Sequence, residues 1–115
     1  MLYNVGMDKF AALADPTRRQ IIEILAREGE LPAAEISRHF KISPQAISQH
    51  LKTLRAADLV RVEKRAQQRI YTINPEVMYE LEEWAKGLRQ LWNQRFDAFE
   101  KLLLAEKRKE RSDEP

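Results

Sequence analysis

Between Ser43 and Ala56 the chain reads S-P-Q-A-I-S-Q-H-L-K-T-L-R-A, and this stretch restricts the fold more than any other. A serine hydroxyl caps a helix N-terminus well, and proline suits the first helical position, where no amide donor is needed. Ile47, Leu51 and Leu54 follow at spacings of four and three, so a helix carries all three on one face and buries it. The opposite face carries Gln45, Ser48, Gln49 and Lys52. A face that only meets water usually shows Glu and Lys pairs. Amides, a hydroxyl and a cation are instead groups that pair with base edges and phosphates. Polar outer faces are common, so the weight of this pattern depends on its surroundings.

Upstream, Leu31-Pro32 opens a helix predicted over Ala33 to Phe40, with Ala34, Ile36 and Phe40 as core contacts and Lys41-Ile42 as the turn that follows. Two helices joined by such a turn, the second capped by Ser43, form a helix-turn-helix pattern, although any small helical domain has short turns. Further back, Met1 to Gly6 reads as a loose lead-in. Met7, Phe10, Ala11 and Leu13 have helical spacing. Asp15-Pro16 caps and starts another helix, Ile21, Ile22 and Leu25 form its buried stripe, and Gly29 ends it. Arg18 and Arg19 stand in its first turn, where the helix dipole disfavours cations. Contact with phosphate, contact with a partner subunit and an ordinary surface pair are all compatible with that placement.

Downstream, Asp58 breaks the helical pattern. Leu59 to Lys64 alternates, with Val60 and Val62 on one side, and Arg69 to Asn74 alternates with Tyr71 and Ile73 in phase. Two antiparallel strands joined through Arg65-Ala66-Gln67-Gln68 are predicted. Lys64, Arg65 and Arg69 cluster at the tip beside Gln67. Such a ribbon after a recognition-type helix is a wing suited to phosphate or the minor groove; a hairpin that only covers the core is the plainer alternative. Pro75 then opens a last helix predicted over Glu76 to Ala105, roughly 45 Å long at 1.5 Å per residue. Two apolar rows run along it: Val77, Leu81, Trp84, Leu88 and Leu91, then Trp92, Phe96, Phe99 and Leu103. Their alternating steps of four and three are those of a helix-pairing seam. A second copy of the helix is the economical cover for it, and packing on the rest of the chain is the alternative. Glu106 to Pro115 is almost wholly charged and is expected to be a solvated, flexible tail.

The chain has 115 residues and a formal net charge of +2. That charge is unevenly spread. Arg38 to Thr72 holds eight basic residues and two acids, leaving twelve basic residues and sixteen acids elsewhere. A basic centre between acidic flanks suits a polyanion. The absence of cysteine excludes disulfides, thiolate metal sites and thiol redox sensing. No apolar run approaches the ~20 residues of a membrane span, and Met1 to Ala14 lacks the pattern of a signal peptide, so a cytoplasmic location is expected. No nucleophile–base pair, phosphate loop or metal-ligand set argues for an enzyme.

Taken together, F-A-A-L-A-D-P-T-R-R-Q-I-I-E-I-L (Phe10 to Leu25), I-S-P-Q-A-I-S-Q-H-L-K-T-L (Ile42 to Leu54), L-V-R-V-E-K-R (Leu59 to Arg65) and R-I-Y-T-I (Arg69 to Ile73) resemble the arsenic-repressor (ArsR/SmtB) family of bacterial winged-helix regulators. The resemblance spans about residues 8 to 104. It implies that the helix at Ser43 enters the major groove, with base and phosphate contacts from Pro44, Gln45, Ser48 and Gln49. It also implies a homodimer built from the first and final helices. Many relatives sense metals through cysteines in the third helix or Asp and His pairs on the last. This chain has no Cys, its histidines are His39 and His50, and A-A-E-I-S-R replaces the thiol segment, so no metal or other cofactor is expected. His50 lies beside Leu51 and reads as structural. The wing turn lacks the glycine that many relatives carry.

The expectation is therefore a mainly α fold with a small β-hairpin: four helices, a two-stranded wing and a long C-terminal dimerisation helix. Residues 1–104 form the winged helix-turn-helix domain and 105–115 the tail. The expected function is a sequence-specific transcription regulator, a homodimeric repressor on an inverted-repeat operator of double-stranded DNA. DNA contacts are assigned to Ser43, Pro44, Gln45, Ser48, Gln49, Lys52, Lys64, Arg65, Gln67 and Arg69. The dimer interface is assigned to Phe10, Leu13, Leu81, Trp84, Leu88, Leu91, Trp92, Phe96 and Phe99. A small molecule beside Trp84 and Trp92, a partner protein, or protein concentration alone are the candidate signals, with dimer core as the plainer role of the two tryptophans. A protein-interaction module that uses the winged fold without DNA is the alternative function.

Overall fold

The computed structural model describes residues 8–113. Helices α1 (Lys9–Ala12), α2 (Pro16–Glu28), α3 (Ala33–Arg38) and α4 (Pro44–Ala56) are followed by α5 (Pro75–Asp113), and strands β1 (Glu30–Pro32), β2 (Val60–Arg65) and β3 (Gln68–Ile73) form one antiparallel sheet in the order β1-β3-β2. The chain divides into two compact units after Tyr79.

The first unit is built on the signals read above. Asp15 accepts a hydrogen bond from the Arg18 amide at 3.0 Å with Pro16 next to it, and Gly29 closes α2 at φ +88°, a backbone region that favours glycine. The buried stripe of α2 is Ile21, Ile24 and Leu25; Ile22 is only half-buried, so Ile24 takes the place expected of it. These pack with Ile36, Ile47, Leu51, Leu54 and Leu59 in the core. Ala34, expected in the core, is exposed, and Phe40 is half-buried. Helix α3 is shorter than expected. The amides of His39 and Phe40 bond back three residues, to Ile36 and Ser37, and this tighter turn ends it at Arg38.

The ends of α1 and α2 explain the two arginines. Arg18 Nε donates to the Ala12 carbonyl at 2.6 Å, and Arg19 donates to those of Leu13 and Ala14 at 2.8 and 3.1 Å. They satisfy carbonyls at the C-terminus of α1, where cations are favoured, which offsets their placement at the N-terminus of α2.

Two features escaped the sequence pattern. The sheet has a third strand, β1, in which Glu30, Leu31 and Pro32 pair with Thr72, Tyr71 and Ile70. A proline is tolerated there because β1 is an edge strand. At the other end of the hairpin, Leu59 N–H bonds the Leu54 carbonyl and Asp58 N–H that of Arg55, with Asp58 at φ +60°. This is a Schellman closure with Asp in the position usually held by Gly, flanked by Leu54 and Leu59, both wholly buried. Asn74 then joins the end of α4 to the start of α5: its Nδ2 donates to the Asp58 carbonyl at 2.8 Å and its Oδ1 accepts from the Glu76 amide at 3.2 Å.

The second unit, from Glu80 onward, is helical through Asp113. The last helix thus runs past Ala105, where it was expected to end. Glu, Lys and Arg are strong helix formers, and Glu106 with Lys109 and Lys107 with Glu110 place opposite charges three apart. Among the described residues, no helix is long and apolar enough to cross a membrane. The loose lead-in expected before Met7, and Met7 itself, lie outside the described residues.

Candidate nucleic-acid interface

Helix α4 is held from one side and open on the other. Ser43 Oγ accepts from the Ala46 amide at 3.1 Å, with Pro44 in the first turn. Ile47, Leu51 and Leu54 are at most 1% exposed, so the helix cannot rotate without pulling three large side chains from the core. That anchoring leaves Gln45, Ser48, Gln49 and Lys52 exposed. Their side chains are not spent on hydrogen bonds or ion pairs among the described residues; the one bond nearby is from Thr53 Oγ1 to the Gln49 carbonyl, at 3.2 Å. The result is a rigid helix with a row of polar groups that still have donors and acceptors to offer.

The rear of α4 carries His50. Its Nδ1 lies 3.3 Å from Arg18 Nη1 and 4.0 Å from Asp15 Oδ2, and the ring is largely covered. Asp15 is held below its ordinary 3.8, first by the hydrogen bond from the Arg18 amide. His50 is therefore part of the packing between α2 and α4. Among the described residues there is no group of three or more His, Cys, Asp or Glu side chains that could hold a metal.

The wing is a two-residue turn. Arg65 pairs with Gln68 across it, leaving Ala66 and Gln67 at the tip, and Ala66 adopts φ +55°. Lys64 sits directly opposite Arg69. Like charges in that position repel, so this pair is a stability deficit that a polyanion would relieve. Lys64, Gln67 and Arg69 are exposed and form no ion pair among the described residues. Arg65 differs from them. Its Nη1 and Nη2 meet Glu30 Oε1 and Oε2 at 2.7 and 3.0 Å, and Nη2 and Nε also reach Glu63 Oε2 at 2.8 and 3.1 Å. Two carboxylates already claim the cation assigned to DNA from its position alone. Glu63 lies two positions before Arg65 on the same face of β2, but Glu30 carried no signal for this in the sequence, because that pairing crosses from β2 to β1 over the central strand.

The residues assigned to a dimer interface are spread over both units. In the first, Phe10 is 43% exposed and Leu13 half-buried. In the second, Leu81 is half-buried while Trp84, Leu88, Leu91, Trp92, Phe96 and Phe99 are all exposed by about half or more. Leu102, Leu103 and Leu104 are exposed as well.

The family described as "Helix-turn-helix domain" matches residues 13–63, which take in α2 through most of β2. The chain is 36% identical over 95 residues to the HTH-type transcriptional regulator Rv2034 of Mycobacterium tuberculosis, covering 83% of this chain and 85% of that protein. It is 35% identical over 97 residues to the arsenic resistance transcriptional regulator ArsR1 of Pseudomonas putida, covering 84% and 75%. A solved ArsR-like transcriptional regulator from Rhodococcus sp. RHA1 superposes with a TM-score of 0.69 at 28% identity, over 81% of this chain and 87% of that one. The chain belongs to the ArsR family of transcriptional regulators. As an ArsR-family protein it is a winged helix-turn-helix DNA-binding regulator and not an enzyme. Within this ArsR fold, α3 and α4 are the helix-turn-helix and β2–β3 the wing.

Proposed function

We propose that this ArsR-family chain represses transcription as a homodimer, with α4 of each protomer in the major groove of one half of an inverted repeat. The observation that carries this reading is the outer face of α4: capped at Ser43, anchored through Ile47, Leu51 and Leu54, and lined with uncommitted polar side chains. Gln45 and Gln49 each offer an amide that gives and takes a hydrogen bond, as adenine requires, and Ser48 serves several bases. Pro44 and Ser43 bring the helix N-terminus to the backbone, and Lys52 with the wing residues Lys64, Gln67 and Arg69 holds phosphate or the minor groove. Two such units on a two-fold axis read half-sites about one helical turn apart, or a multiple of it. The aromatic surface of α5 supports a second copy as its cover. Repression is steric, the dimer covering a promoter that RNA polymerase needs.

Selection of bound sequences from random DNA, followed by salt titrations, tests this. Gln49→Ala is expected to cost about 1–3 kcal/mol per half-site on the selected operator and to relax one base pair, with little change on random DNA. Lys64→Ala and Arg69→Ala are expected to weaken both DNAs alike and to flatten the log–log salt dependence by about 0.9 for each phosphate no longer neutralised. Equal weakening of both DNAs by Gln49→Ala would remove α4 as the reader.

A further inference from the structure

One side chain links three elements of the first unit. Arg18 lies in the first turn of α2, donates through Nε to the Ala12 carbonyl at the end of α1, and places Nη1 3.3 Å from His50 Nδ1 in the middle of α4. Its own amide is bonded by Asp15, the cap of α2. The guanidinium is planar and its donors are fixed in a fork, so bonds from Nε and Nη1 set the orientation of the whole group. An arginine has only donors. A hydrogen bond from Arg18 needs a lone pair on His50 Nδ1 and so puts the imidazole proton on Nε2, although the Asp15 carboxylate, 4.0 Å from the same Nδ1, favours a proton there.

His50 is the residue after Gln49 and two after Ser48. Buried Leu51 follows it, so the ring lies at the border between the anchored and the open faces of α4. The three aliphatic anchors resist withdrawal of the helix from the core but have no directional bond to define its rotation finely. Arg18–His50 supplies one, between side chains that are both only partly accessible. Placement of an amide against a base edge is sensitive to shifts of a fraction of an ångström, because both hydrogen bonds of a bidentate pair must form together.

We propose that Arg18 and His50 are positioning residues for base reading: Arg18 ties the end of α1 to α4 through His50, holds His50 in the Nε2–H tautomer, and so fixes the rotation at which Ser48 and Gln49 meet the groove. This rests on α4 being the reader. It assigns the two residues to discrimination between sequences rather than to affinity, since neither touches DNA itself.

Nitrogen-detected NMR on the free protein at neutral pH tests the tautomer without any mutation. An unprotonated Nδ1 and a protonated Nε2 are expected, and an Nδ1–H ring overturns the proposal. The functional arm uses His50→Leu, His50→Asn and Arg18→Lys. Leucine removes the acceptor, whereas the asparagine amide oxygen stands near the Nδ1 position and can take the Arg18 bond. Lysine keeps the charge without the fork. His50→Leu and Arg18→Lys are expected to lower the ratio of operator to random-DNA affinity by about tenfold, with random-DNA affinity and its salt slope unchanged, and His50→Asn to recover most of the ratio. A folded His50→Leu protein with the wild-type ratio overturns the proposal. Gln49→Ala in the same series separates the failures. A ratio that falls in Gln49→Ala but is kept in His50→Leu sinks the positioning role alone; a ratio kept in Gln49→Ala removes α4 as the reader and the positioning role with it.

Discussion

The guanidinium of Arg65 meets both carboxylate oxygens of Glu30, at 2.7 and 3.0 Å, although the strands that carry them are not neighbours in the sheet. The pairing spans the central strand from the tip of the wing to the edge, and Glu63 joins it from the same strand as Arg65. Four hydrogen bonds to two carboxylates occupy four of the five N–H groups of Arg65 and offset its charge. Its pair is exposed, however, and exposed pairs exchange partners at little cost.

Glu30→Gln is accordingly expected to release Arg65, raising affinity for random DNA and steepening the salt slope by about 0.9. Unchanged binding would mean that Arg65 serves the sheet alone. The hydrogen bond from Arg65 holds the Glu30 carboxyl below its ordinary 4.5. A carboxylate with a lowered value in the folded state stabilises the fold fully above 4.5 and loses that contribution as pH falls through the lowered value. The melting temperatures of wild type and Glu30→Gln should therefore differ at pH 6 and converge as the pH drops well below 4.5. A constant difference across that range would show that the ion pair contributes nothing.

Ala66 holds φ +55° at the first of two turn residues, a conformation that hinders a side chain and suits glycine. Ala66→Gly is expected to stabilise the protein by about 1 kcal/mol, read by urea denaturation, because relief of the strain exceeds the added flexibility of the unfolded chain. Loss of stability would mean that the tip relaxes differently in solution.

Asn74 is 8% exposed and bonds the Asp58 carbonyl and the Glu76 amide. Asn74→Ala removes a helix cap and leaves a partly buried carbonyl without its donor, for an expected loss of about 1–3 kcal/mol. Asn74→Asp should keep the cap yet lose the bond to Asp58, so an intermediate stability is expected, and a loss equal to that of alanine would deny the cap any role.

On α5, Leu88→Glu together with Trp92→Glu places charges in the centre of the exposed apolar surface. Sedimentation at micromolar concentration is expected to show monomer, and operator affinity to fall on the order of a hundredfold once two half-sites are no longer linked. A double variant that still sediments as a dimer would move the interface elsewhere.

Local chemistry wrote much of this protein into its sequence. Asp15-Pro16 and Ser43-Pro44 specify helix starts because a cap and its amide lie three residues apart, and Ile47, Leu51 and Leu54 orient α4 because their spacing leaves a single face to bury. The row Gln45, Ser48, Gln49 and Lys52 followed from that face by exclusion. Tertiary structure decided what depends on residues far apart. Glu30 to Pro32 has no strand pattern of its own and becomes β1 only through pairing with Ile70 to Thr72. Arg18 and Arg19 looked misplaced on α2 until the carbonyls of α1 were brought beneath them. Arg65 read as a cation for DNA, and only the fold showed that Glu30, thirty-five positions away, also pairs with it. A hydrogen bond within one turn of helix is dictated by spacing alone, whereas the partner of a long charged side chain is chosen by which elements the fold lays side by side.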